Sequence, residues 1–210
     1  MAPFVPGLLI FNDLISNLNH FYPVNISSAV YLKRRGGEMD YRFCPYCGMR
    51  IKSIDNKQNN FPHIFCSRCE FKLYQHPKPC VGAVITQDNC MILVQRANAP
   101  YQFYWDFPGG FLELNEHPKD GLKREVSEEL GADVYVDKLI GVYMDNYGNL
   151  KESTLNIYYS CMLLDNVDML SEEINGAEWF DLENLPKKIA FRHFRKLLND
   201  WRYIQSELTS

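Results

Sequence analysis

From Gly110 the chain runs Gly110-Phe-Leu-Glu113-Leu-Asn-Glu116-His-Pro118-Lys-Asp-Gly121-Leu122-Lys123-Arg124-Glu125-Val126-Ser127-Glu128-Glu129-Leu130-Gly131-Ala132. Pro118 suits a first helical turn and Gly131 a left-handed C-terminal cap, so the spacing predicts a helix over Pro118–Leu130. Gly121 inside that helix is unusual, costing about 1 kcal/mol relative to alanine. On it Glu125 stands one turn before Glu128 and Glu129, so three carboxylates share one side, while Leu122, Val126 and Leu130 form a separate apolar stripe. Like charges at these spacings repel. A divalent cation relieves the repulsion, and an all-oxygen ligand set selects Mg2+ or Mn2+, which in turn bind phosphate oxygens. From the helix alone, a solvated acidic face balanced by Lys119, Lys123 and Arg124 is the simpler reading.

The upstream residues change that balance. Gly110, five residues, Glu116, seven residues, then Arg124-Glu125-Val126-Ser127-Glu128-Glu129-Leu130-Gly131-Ala132 resembles the complete signature of the Nudix hydrolases, with Ala132 smaller than the family's usual aliphatic residue. The resemblance runs from about Pro79 to Trp201, including Trp105-Asp-Phe-Pro-Gly-Gly before the signature and Glu178-Trp179-Phe180-Asp181 after it. It implies an α+β fold, an α/β/α sandwich with a mixed sheet. It also implies that Glu125, Glu128 and Glu129, with the Gly110 carbonyl, hold Mg2+ or Mn2+, that Arg124 orients a carboxylate, and that Glu116 and Glu113 support these groups from behind. The implied reaction is attack of metal-activated water on the diphosphate of a nucleoside diphosphate derivative. The family's general base is a signature glutamate or a carboxylate from a later loop. Glu173 is the candidate here, with Glu172 beside it; an exposed loop charge is an equal reading.

Four of the seven cysteines form two C-x-x-C pairs, Cys44/Cys47 and Cys66/Cys69, with 18 residues between Cys47 and Cys66. That spacing predicts a four-thiolate structural Zn2+ site, each pair gripping one edge of a tetrahedron and the intervening loop forming a short hairpin. Cys44-Pro-Tyr-Cys47 also resembles a glutaredoxin motif, but no βαβ pattern surrounds it. The module resembles the zinc ribbon of a Nudix subgroup that includes NADH, ADP-ribose and FAD pyrophosphatases. His63 and His76 read as ordinary hairpin or surface side chains, and Cys80, Cys90 and Cys161 as small buried residues.

Elsewhere the pattern predicts a hairpin of Val81–Thr86 and Met91–Val94 around Gln87-Asp88-Asn89. Further strands are expected at Val134–Val142 and Leu155–Leu164, with a short one at Trp179–Phe180. A last helix is expected over about Lys187–Gln205, with an apolar stripe through Ile189, Phe194, Leu197, Leu198, Trp201 and Ile204. The domain plan is an arm over 1–38, a ribbon over 39–78 and a hydrolase domain over 79–210. Arg35-Gly36-Gly37-Glu38 before Met39 is what a translated ribosome-binding site looks like, so Met39 is the expected native start.

With 46% apolar residues the chain carries enough material for a core, which excludes a disordered polymer. Its formal net charge of -4 supplies no basic field, so neither nucleic acid nor an anionic membrane is an expected partner. No run reaches the ~18 apolar residues of a membrane span, and Phe4–Ile15, broken by Pro6, Asn12 and Asp13, does not read as a secretory signal. A cytoplasmic protein is expected, with a homodimer implied by the resemblance. For the substrate, ADP-ribose or FAD is expected, because the stretch after Tyr143 lacks the motif of NADH-cleaving relatives. Tyr104, Phe103 and Tyr147 are candidates to stack a base. The alternatives are an NADH or dinucleoside polyphosphate pyrophosphatase, or a non-catalytic nucleotide sensor whose ribbon binds a partner.

Overall fold

The structure is a computed structural model that describes residues 43–51, 63–74, 76–148, 152–167 and 171–208; the arm over 1–38 and the start at Met39 lie outside them. The chain forms two units, residues 1–75 and 76–210.

In the first unit β1 (His63–Phe65) and β2 (Lys72–Tyr74) pair antiparallel, with Phe65 opposite Lys72. Cys66 and Cys69 occupy the turn between them. The hairpin wraps the second cysteine pair; the one expected of the loop between the pairs falls largely on 52–62, outside the described residues. Each pair sits in the same kind of knuckle. Cys44 N–H donates to Met49 O and Gly48 N–H to Cys44 O; Cys66 N–H donates to Phe71 O and Glu70 N–H to Cys66 O. The residue four after each first cysteine is left-handed, Gly48 at φ 70° and Glu70 at φ 58°.

The second unit is built on a mixed sheet in the order β5-β4-β3-β8-β7, where β3 is Lys78–Gln87, β4 Cys90–Arg96, β5 Trp105–Asp106, β7 Val134–Tyr147 and β8 Glu152–Leu163. β3 runs parallel to β8 and antiparallel to β4, while β6 (Gly109–Phe111) joins β3 and β9 (Ile174–Asp181) joins β4. The β3–β4 hairpin closes through Asp88 and Asn89 at φ 49° and 64°, a two-residue loop whose twist matches the strands. Alternation along the central strands feeds two cores. Val81, Ala83, Ile85, Ile92 and Val94 pack with Leu122, Val126 and Leu130 of α1 (Pro118–Leu130), whereas Val84, Met91 and Leu93 pack with Phe194, Leu197, Leu198 and Trp201 of α2 (Phe194–Leu208). A helix thus covers each face of the sheet, the expected sandwich.

α1 has the bounds its sequence predicts. His117 caps its start, accepting from Lys119 N–H, and Gly131 closes it at φ 63°. Gly121 now has a reason: a Cβ there would lie 2.5 Å from Leu112 Cδ2 and 2.7 Å from Glu116 Oε2. The loop before α1 packs where a side chain would stand.

α2 starts at Phe194, seven residues later than the sequence suggests. Trp105 takes the intervening chain: its N–H donates to Lys188 O at 2.8 Å and its carbonyl accepts from Ala190 N–H at 2.9 Å. Asp145 Oδ2 on β7 then accepts from Arg192 and His193 N–H at 3.0 and 3.2 Å, capping the helix from a distant strand. Ile189 therefore packs beside β5 and not on the helix stripe. β9 is eight residues long where two were expected, because it pairs along nearly all of β4. Among the described residues no helix is long and apolar enough to cross a membrane.

Candidate active site

Burial of Leu122, Val126 and Leu130 fixes the rotation of α1 about its axis, and with it the direction of the acidic side. Glu125 and Glu129 are 9% and 8% exposed, while the Glu128 side chain is 58% exposed. All three line a cavity of about 550 Å³, together with Gly109, Gly110, Asp106 and Glu173. The structure brings the later-loop candidate to the same place as the signature acids. Glu172 does not line the cavity. Glu173 is held by its backbone, N–H donating to Ser171 Oγ and carbonyl accepting from Ala97 N–H.

Arg124 organises the acids. Its Nε and Nη2 donate to the two oxygens of Glu116 at 2.8 and 3.0 Å, and its Nη1 donates to Glu125 Oε1 at 2.9 Å and Glu128 Oε2 at 3.0 Å. Nη2 also reaches the Phe111 carbonyl. The guanidinium, together with the Glu113 N–H, holds the Glu116 carboxyl down at about 2. Glu113 lines the cavity and meets Glu116 through its backbone, its N–H donating to the carboxyl and its carbonyl accepting from Glu116 N–H.

The buried acids behave oppositely. Burial pushes Glu129 up to about 8 against the hydrogen bond from Gly109 N–H, with the charges of Glu125, Asp106 and Glu173 adding to the rise. Burial raises Glu125 as well, opposed by Arg124. Asp106 is pushed up to about 7 by burial, opposed by Arg96. Gly110 is bare where Glu125 packs: a Cβ would sit 2.5–2.7 Å from all three carboxyl atoms. Buried carboxylates that outnumber their cations are a donor set that fits a hard divalent cation.

Of the three aromatic candidates, Tyr147 lines the cavity and Phe103 and Tyr104 do not. Phe103 lies in a left-handed turn at φ 65° and is 54% exposed, and Tyr104 packs against Tyr101. Among the lining residues that escaped the sequence reading are Arg96, Asp106, Phe111 and Phe191. A charge ending the apolar run of β4 and an acid between Trp105 and Phe107 were the available signals for the first two. Cys80 also lines the cavity, half-buried, its thiol pushed up to about 12 by burial.

In the first unit the sulfurs of Cys44, Cys47, Cys66 and Cys69 all lie within 4.8 Å of one another, with Cys44–Cys69 at 3.6 Å and Cys47–Cys66 at 3.5 Å. Tetrahedral zinc with bonds of about 2.3 Å places sulfurs roughly 3.8 Å apart, so the four thiols fit that ion. Among the described residues no histidine joins the group.

The NUDIX domain family model matches residues 76–201. A protein of Methanocaldococcus jannaschii named ADP-ribose pyrophosphatase is 33% identical over 132 residues, covering 63% of this chain and 77% of that protein. A Vibrio atlanticus protein named NAD-capped RNA hydrolase NudC is 27% identical over 157 residues, and the chain spans about half of its length, 51%. Among solved structures, a NUDIX hydrolase from Nitrosomonas europaea superposes with a TM-score of 0.63 at 30% identity, over 75% of this chain and 88% of that one.

Proposed function

The chain belongs to the NUDIX family, and on that premise we propose that it is a metal-dependent pyrophosphatase that cleaves the diphosphate of a nucleoside diphosphate derivative, ADP-ribose or FAD. The products are a nucleoside monophosphate and a phosphorylated remainder. The observation that carries this reading is the meeting of Glu125, Glu128, Glu129 and Glu173 in one cavity, where the Arg124 guanidinium is committed to Glu116, Glu125 and Glu128.

Glu125, Glu128 and Glu129, with the Gly110 carbonyl, would hold Mg2+ or Mn2+, which when bound lowers the pKa of water and neutralises charge on phosphoryl oxygens. Arg124 fixes the direction of Glu125 and Glu128, and Gly109 N–H that of Glu129. In the reaction the water oxygen bonds to phosphorus, the bridging P–O bond breaks with its electron pair on the departing phosphate, and the water's proton passes to a carboxylate oxygen of Glu173. Glu116 pins Arg124 from the loop and so keeps the acids in register. The four thiolates of Cys44, Cys47, Cys66 and Cys69 would close around a structural Zn2+. The name of the NudC relative favours a second reading, in which the diphosphate belongs to NAD, free or capping RNA.

The test is product release from ADP-ribose, FAD, NADH, NAD, NAD-capped RNA, diadenosine polyphosphates and nucleoside triphosphates, with Mg2+ or Mn2+ and with EDTA. Metal-dependent cleavage concentrated on ADP-ribose or FAD is expected. Cleavage concentrated on NAD compounds selects the second reading, and silence of folded, metal-loaded protein removes both in favour of a sensor.

A further inference from the structure

We infer that Arg96 is a substrate-binding residue: its guanidinium takes the phosphoryl group lying farther from Glu125, Glu128 and Glu129. The inference rests on the pyrophosphatase reading above and names the chain's second anchor for the diphosphate. Arg96 ends β4 and lines the same cavity with its side chain only 20% exposed. It is pinned on several sides. Nε donates to Pro100 O at 2.9 Å and Nη2 to the Tyr147 hydroxyl at 3.1 Å, and the guanidinium carbon lies 5.7 Å from the Tyr147 ring centre and 5.5 Å from that of Phe191.

The remaining donors set it apart. Arginine has five N–H groups, and Nη1 finds only Asp106 Oδ2 at 3.7 Å, beyond hydrogen-bond reach. Asp106 meanwhile accepts from Phe107 N–H through its other oxygen. Among the described residues no fully enclosed side-chain nitrogen lacks a partner. Nη1 therefore keeps accessible surface, and Arg96 lines the cavity. The other lining guanidinium, Arg124, is spent on Glu116, Glu125, Glu128 and a carbonyl. Every other charged lining residue is acidic. A diphosphate brings charge on both of its phosphoryl groups, and a cation held by the signature acids meets one of them. For the other, Arg96 is the cation with donors to give, and a fork already immobilised by two hydrogen bonds and two rings loses little freedom on binding.

The test compares Arg96→Met and Arg96→Lys with the unaltered chain, using α,β-methylene ADP, whose bridge resists hydrolysis, and AMP, which has one phosphoryl group; binding of each is measured by calorimetry with Mg2+ present. Arg96→Met is expected to weaken α,β-methylene ADP by about tenfold or more while AMP changes by less than about threefold. Lysine, a point charge without the fork, restores only part of the loss. The KM for a cleaved diphosphate should rise in parallel. Equal loss for both probes, which a packing role would produce, overturns the inference, and so does no loss for either. If Arg96→Met does not fold, Arg96→Lys is read by the same two probes. Discrimination between the probes without cleavage of any compound in the panel above leaves Arg96 as an anchor and sinks the pyrophosphatase reading; cleavage without discrimination does the reverse.

Discussion

Arg124 and Glu116, eight positions apart, meet in two parallel hydrogen bonds, Nε to Oε1 at 2.8 Å and Nη2 to Oε2 at 3.0 Å. The pair ties the loop before α1 to the helix and leaves Nη1 for Glu125 and Glu128. Glu116→Gln removes the charge and half of the fork. Turnover is expected to fall by about 10- to 100-fold, the usual effect of losing a group that orients ligands, with KM changed little. Steady-state kinetics decides it, and undiminished kcat would show that Glu125 and Glu128 keep their directions without this brace.

Gly121→Ala puts a methyl into the space held by Leu112 and Glu116. Helix propensity gains about 1 kcal/mol, whereas overpacking costs about 1–3 kcal/mol. The net expectation is a lower melting temperature, accompanied by lower turnover because Glu116 is displaced. A variant that melts higher than the parent would mean that the loop simply moves aside.

Glu129→Gln leaves the Gly109 N–H its acceptor but removes one of the crowded charges. In EDTA the variant is expected to melt at or above the parent, since burial that pushes the acid up to about 8 costs stability at neutral pH that a neutral amide does not. Added Mg2+ should stabilise the parent, as any ligand of the folded state does, and leave the variant nearly unmoved, with turnover reduced by orders of magnitude. Equal stabilisation of both by Mg2+ contradicts the assignment of Glu129 to the ion.

His193 links two elements: Nδ1 lies 2.8 Å from Asp145 Oδ2 and Nε2 lies 2.8 Å from the Tyr158 hydroxyl. Burial lowers its pKa below the ordinary 6.5, although Asp145 pulls the other way. The folded state therefore binds fewer protons than the unfolded state just below that value. This contribution to stability is complete above pH 6.5 and is lost as pH falls from there toward the folded pKa. For Asp145, burial works upward, but the hydrogen bonds from Asn146 N–H and His193 outweigh it and hold the carboxyl low, so its contribution is lost in a more acidic range. Melting temperature should drop as pH falls below 6.5, and His193→Asn should flatten that slope. A parent slope that survives the substitution would assign it elsewhere.

Cys66→Ser should abolish bound zinc, since the fourth thiolate closes the tetrahedron. The first unit should then become protease-sensitive, because its described residues form only two knuckles and a hairpin of two three-residue strands. The measurements are metal content per chain and limited proteolysis. Full zinc occupancy in the variant would show that three thiolates suffice.

What the sequence by itself determined is what rests on neighbours along the chain. The bounds of α1, the face carrying Glu125, Glu128 and Glu129, the Asp88-Asn89 turn and the pairing of cysteines into two knuckles all follow from spacings of a few residues, which local geometry reads directly. Gly121, which local propensity made anomalous, already marked a close approach.

The tertiary structure decided what depends on partners distant in sequence. β9, with its glycine and uneven pattern, exists because β4 pairs with it, and α2 starts at Phe194 because Trp105 and Asp145 claim the hydrogen bonds of the residues before it. The same rearrangement brings Phe191 to the cavity, a residue that a helix from Lys187 would have hidden. Arg96, Asp106, Tyr147 and Glu173 come from four separate segments, and no periodicity relates them. Phe103 and Tyr104 share the composition of a base platform with Tyr147, but of the three only Tyr147, carried by strand β7, lines the cavity. A helix or a knuckle is closed by bonds within one stretch of chain, whereas a binding cavity is closed by the sheet order, and the sheet order is set by burial of both faces at once.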